Sequence, residues 1–202
     1  MKQLSFIIIF LTTLSSHCQK HYLQPVKDFC KEGADLKKYY EKIFPLLYEG
    51  LQKKPYARYT VLSRISKEYT VSVEKKNNKF FIISNTVSRG YWHLGDDEIR
   101  LISVQKEINT ELYDRIGELF QILLSDLKPA TEPILTNKTE YYFSTTNNEG
   151  IVQTGQIFSP EYNSLLYKIT KTCDNLASIG FGQNISQSKI QAEIEQLLLE
   201  MR

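Results

Sequence analysis

The feature that most constrains the fold is a change of hydrophobic period near residue 56. Before it, DLKKYYEKIFPLLYEGLQKK (35–54) repeats apolar residues every three or four positions: Leu36, Tyr39/Tyr40, Ile43, Leu47 and Leu51. That spacing predicts a helix, with Asp35 at its start, Pro45 as a kink or break, and Pro55 as its end. After it the period is two. ARYTVLSR (57–64), EYTVSVEK (68–75) and KFFIISNTV (79–87) are rich in β-branched and aromatic residues. Tyr69, Val71 and Val73 alternate with Thr70, Ser72 and Glu74, which predicts one buried and one wet face. Asn77-Asn78 suits the left-handed backbone of a tight hairpin. The three runs therefore read as an antiparallel meander, with a fourth strand over 98–105.

Asn109 or Thr110 caps a helix whose stripe is Leu112, Ile116, Leu119/Phe120, Leu123 and Leu127. EYYFSTT (140–146) and IVQTGQIF (151–158) flank the turn residues NNEG. Ser159-Pro160-Glu161 is expected to open the next helix, which carries Tyr162, Leu165/Leu166, Ile169, Cys173 and Leu176 on one face and closes at Gly180. Ser188 and Gln191 match a capping box for a final helix. Hairpin-linked strands separated by helices imply an α+β fold: an antiparallel sheet, meander plus later hairpin, with helices packed mainly on one face.

Residues 1–18 read as a secretory signal peptide: a short basic start, the apolar run LSFIIIFLTTL, and a small-residue close at Ser16 and Cys18. Residues 19–202 then form one α+β domain, exported to the periplasm or medium. The alternative is a lipid anchor at Cys18, although His17 and the displaced Leu14 depart from a lipobox. No later run approaches the ~20 apolar residues of a membrane span. Removal of Cys18 leaves Cys30 and Cys173, an even count that in an exported chain suggests a disulfide.

Net charge is +2 and argues for no nucleic-acid partner. It is uneven: residues 19–100 hold 16 basic and 10 acidic side chains, residues 101–202 hold 8 and 13. No closely paired zinc ligands, phosphate loop or nucleophile elbow appears, and nothing calls for a metal or cofactor. Attention falls on SRGYWHLGDDE (88–98), between two predicted strands. It holds the single Trp and offers Tyr91, Trp92, His93, Asp96 and Asp97 as binding residues. Exposed together, they make a binding tip; a buried Trp92 makes a structural plug; acids with His93 would suit an enzyme site. Tyr and Trp give large contact area at low entropy cost. The sequence therefore favours an exported, non-enzymatic protein-binding domain, such as an inhibitor or immunity-type factor. The alternatives are an extracytoplasmic hydrolase acting on glycans or peptides through Asp/Glu and His93, and a carrier of a small apolar ligand.

The leader reading makes a definite expectation: intact mass of the exported protein should correspond to a chain starting at Gln19. A mass retaining residues 1–18, or Cys18 with acyl chains, would exclude it.

Overall fold

A computed structural model describes residues 22–26, 34–93, 99–129 and 138–202. Seven strands form one antiparallel sheet: β1 (Gln24–Pro25), β2 (Ala57–Leu62), β3 (Tyr69–Lys76), β4 (Lys79–Val87), β5 (Leu101–Ile108), β6 (Glu140–Thr146) and β7 (Val152–Phe158). Their spatial order is β1-β7-β6-β2-β3-β4-β5. Four helices accompany them: α1 (Ala34–Leu47), α2 (Thr110–Ser125), α3 (Leu165–Gly180) and α4 (Gln187–Met201). The α+β fold class is as expected. The Asn77-Asn78 turn also holds, with φ of 50° and 60° between β3 and β4.

The main core lies between one face of the sheet and α2, α3 and α4. Tyr59, Val71, Val73, Ile82 and Phe143 meet the stripes of these helices there. The other face is also covered. A second core joins Tyr39, Ile43, Phe44 and Leu47 of α1 to Leu62, Val87 and Tyr142 of the sheet. This overturns the expectation of a wet face on β3: Thr70, Ser72 and Glu74 are fully buried. Period-two alternation reports two different faces, but not which of them water reaches. Likewise both rings of Tyr141-Tyr142 are covered, one on each side of the sheet.

Several boundaries shift for identifiable reasons. α1 continues through Pro45 and ends at Leu47, short of the predicted 54. The buried Asn85 amide of β4 donates to the carbonyls of Leu47 (2.8 Å) and Glu49 (3.1 Å), so a sheet side chain satisfies the helix end. Ser159 does not cap α3. Its φ is 41° and its N–H donates to Thr139, which makes it the close of the β6–β7 hairpin. Ser164 caps α3 instead, accepting from the Tyr167 N–H, so Tyr162 precedes the helix and is exposed rather than on its buried face. The capping box on α4 is not formed: Ser188 hydrogen-bonds Ser186, and Gln191 reaches forward to Glu195. Asn109 caps α2 as expected, accepting from Leu112 N–H at 2.8 Å. β5 spans 101–108 rather than 98–105.

Cys173 carries a free thiol, fully buried in the main core, where burial raises its pKa well above the ordinary thiol value. The expected bridge to Cys30 is therefore not seen; Cys30 lies outside the described residues, as does Cys18. Among the described residues, no helix is long and apolar enough to cross a membrane.

The contact of α3 with β4 depends on Gly180. A Cβ there would lie 1.9 Å from Ser84 Oγ and 2.7 Å from Ser84 Cβ. Gly180→Ala should lose about 2–3 kcal/mol of stability through overpacking, and Ser84→Gly in the same chain should recover part of it. Urea denaturation of the three variants measures both; an unaffected Gly180→Ala would show that α3 can slide.

Candidate functional site: an aromatic tip on buried carboxylates

Of the proposed binding residues, Tyr91, Trp92 and His93 form a short 3-10 turn where β4 leaves the sheet. The turn is held from beneath. The backbone N–H of Tyr91 lies 3.3–3.4 Å from the two carboxylate oxygens of Glu68. Glu68 is fully buried, and the Tyr39 hydroxyl of α1 donates to the same group at 3.0 Å. One carboxylate thus ties α1, the start of β3 and the loop together.

Above it the rings form a cluster. Tyr39 contacts Tyr91 at 4.8 Å and Trp92 at 4.9 Å between centroids, and Tyr91 meets Trp92 edge-on at 5.3 Å. The Arg64 guanidinium stands 4.9 Å from the centre of the Trp92 ring. That is cation–π distance, to which the planar arginine head is suited. Lys42 is similarly 5.9 Å from the Tyr91 ring. Trp92 remains 36% exposed, and Ile65, next to Arg64 in the β2–β3 turn, is 86% exposed. Trp92 is therefore neither a sealed plug nor a free tip. One side of it anchors the turn and another faces water. Of the other predicted residues, Tyr91 is half-buried; Asp96, Asp97 and the side chain of His93 lie outside the described residues.

A second carboxylate supports the same region. Glu140, at the start of β6, is 9% exposed and accepts from the hydroxyls of Tyr40 (2.9 and 3.0 Å to its two oxygens) and Tyr142. Burial raises its pKa, against the opposing pull of the two phenols and of Arg64. The same burial, with the nearby carboxylates, raises the phenol pKa values of Tyr39, Tyr40 and Tyr142. These phenols are therefore donors at neutral pH. The Tyr39 and Tyr40 rings are 5.4 Å apart, which connects the Glu140 group to the tip.

The remainder of this sheet face is polar as well. Arg58 is 5% exposed, donates to the Gln52 carbonyl and lies 4.5 Å from the Tyr48 ring. Glu74 is fully buried and accepts from Ser72 and the Gln52 N–H, with the Lys76 ammonium 3.2 Å away. Sequence reasoning did not single out Glu68, Glu74, Glu140 or Arg58. Their one visible signal was charge inside strand-like runs, which also describes an ordinary wet face. Among the described residues, no group of three His, Cys, Asp or Glu side chains could hold a metal ion.

Comparison with known proteins found no matching family, no similar curated protein and no similar solved structure.

The Glu140 group makes a signed prediction. Its folded pKa is raised, so the folded chain holds this proton more tightly than the unfolded chain does. That stabilisation is full below the unfolded value and is lost as pH rises through the folded one. Glu140→Gln does not titrate. The stability of wild type minus that of Glu140→Gln should therefore fall as pH rises above the ordinary glutamate value of about 4. Urea denaturation at a series of pH values tests it, and a difference that rises with pH would reverse the assignment. Glu140→Leu leaves two buried phenols without an acceptor and should cost about 2–3 kcal/mol more than Glu140→Gln.

Proposed function

We propose that this chain is an exported, non-enzymatic protein-binding domain, of inhibitor or immunity type, and that the Tyr91–Trp92 tip with Arg64 is its contact. The observation that carries the reading is the half-exposed Trp92, fixed between Tyr39 and Arg64. Trp, Tyr and Arg dominate the energetic centres of protein interfaces, because each offers a large contact area. Held in place before binding, they lose little conformational entropy when a partner arrives. Ile65, which follows Arg64 in the chain, adds an exposed apolar side chain to the same turn.

A specific observation also favours the hydrolase alternative. Glu140 is an acid of raised pKa connected to the tip through Tyr40 and Tyr39, which is the kind of group general-acid chemistry requires. Against it stand the depth of Glu140 and the engagement of both its oxygens by tyrosine hydroxyls. Nothing in the geometry favours the apolar-carrier reading.

Cross-linking in the exported fraction, read by mass spectrometry, separates these readings. Wild type and Ile151→Ala, altered at an exposed side chain in the β6–β7 turn at the opposite end of the sheet from the tip, should capture the same partner. Trp92→Ala should weaken that capture by about 2 kcal/mol or more, roughly thirtyfold. Equal capture by all three proteins would remove the tip from the interface. Capture of nothing by wild type, together with hydrolysis abolished in Glu140→Gln, would favour the enzyme.

A further inference from the structure

The two edges of the sheet are finished differently. On one side the edge strand β1 has two residues and includes Pro25, which has no N–H to offer. On the other, β5 is eight residues long and pairs without interruption along β4, from Phe80↔Ile108 to Val87↔Leu101. Residues 102–107 are all exposed, including Ile102 at 44% and Val104 at 38%. Such an edge, without bulge, Pro or Gly, is a template for another strand.

The direction of its free backbone groups follows from the pairing. Ser88 N–H donates to Arg100 at 2.8 Å, immediately beyond the Val87↔Leu101 pair. Hydrogen-bonded and non-hydrogen-bonded pairs alternate along an antiparallel ladder. Arg100, Ile102, Val104 and Lys106 therefore turn their backbone groups toward β4, and Leu101, Ser103, Gln105 and Glu107 turn theirs outward. The Gln187 side chain agrees with this, donating to the outward carbonyl of Glu107 at 3.3 Å. That leaves Leu101, Ser103 and Gln105 as the open stretch.

We propose that β5 pairs antiparallel with β5 of a second copy, about a twofold axis at Val104, to make one continuous sheet. A twofold normal to the sheet keeps each face on its own side, so opposed residues share parity. Centred on Val104, the pairing sets Ser103 opposite Gln105 of the second copy, where both main-chain bonds form. Val104 faces its own counterpart, and Ile102 faces the aliphatic stem of Lys106. No like charges are opposed, and the two exposed apolar residues of each copy form one row on the α3 side. The neighbouring registers are worse. An axis at Ser103 sets Arg100 against Lys106, and one at Lys106 sets that residue against itself. An axis at Gln105 relies on the Glu107 carbonyl that Gln187 already occupies.

The pairing predicts a directional cross-link. Val104 would face its copy at a non-hydrogen-bonded site, with Cα atoms about 4.5 Å apart, within disulfide reach. Ile102 would lie about 14 Å along the strand from its own copy at ~3.4 Å per residue, outside that reach. Under mild oxidation Val104→Cys should give a covalent dimer and Ile102→Cys should not, with wild type marking the contribution of the native cysteines. Sedimentation should show wild type shifting from monomer to dimer between micromolar and millimolar concentration. Ser103→Pro removes only an outward N–H, and Val104→Lys opposes two ammonium groups at the axis. Both should stay monomeric while keeping the wild-type circular dichroism spectrum. Monomeric wild type throughout, or equal cross-linking at 102 and 104, would overturn the proposal; the first result would leave the edge to an extended segment of another protein.

Discussion

The interaction on which most of this structure depends is the hydrogen bond from a tyrosine hydroxyl to a carboxylate, buried at Glu68 and Glu140 and half-buried at Asp174. It recurs in three places. Glu68 holds Tyr39 of α1, Glu140 holds Tyr40 of α1 and Tyr142 of β6, and Asp174 of α3 holds Tyr59 of β2 and Tyr69 of β3. Each joins elements distant in sequence. A buried carboxylate without donors would carry a large desolvation cost, and phenols are long enough to supply donors while their rings fill the core. Charge-assisted bonds of this kind contribute about 1.5–3 kcal/mol each, and their loss leaves the partner group stranded. The 13 tyrosines of the chain are thus in good part internal fasteners, rather than only the surface contacts that their number first suggests.

The two sides of the sheet use different chemistry. The side facing α2, α3 and α4 is an apolar core, closed by near approaches such as Gly180 on Ser84. The side facing α1 mixes Thr60, Thr70, Ser72, Glu74, Asn85 and Arg58 with aromatic rings. A helix on such a face needs specific polar partners, and α1 obtains them: its end is satisfied by Asn85, and its tyrosines by Glu68 and Glu140. The loop carrying Trp92 is built on this polar side, which places an aromatic surface above groups that cannot shift without losing hydrogen bonds.

Legibility from sequence followed the range of the interaction. Asn109 was readable as the cap of α2 because donor and acceptor are three residues apart. The Asn77-Asn78 hairpin was readable because its conformational demand is local. The stripe of α3, with Cys173 turned to the core, followed from spacing alone. The opening of α3 was misplaced because the Ser159 backbone is held across the hairpin by the Thr139 carbonyl, and the cap of α4 because Ser188 found the neighbouring Ser186 hydroxyl. Glu68 and Glu140 gave no local signal, since their phenol partners on α1 lie 29 and 100 residues away.

By itself the sequence determined every element but β1, the hairpin pairings of the meander and of β6 with β7, the α+β class and the position of the aromatic loop at the end of β4. All of these rest on periodicity, capping and turn preference, which act over a few residues. Tertiary structure decided that the second face of the sheet is also covered, which carboxylates are buried, that Trp92 is half-exposed against Tyr39 and Arg64, and that β5 is an edge. Alternation in a strand states only that its two faces differ. Which face meets water depends on where distant helices and strands come to rest, and that is set by the packing of the whole chain.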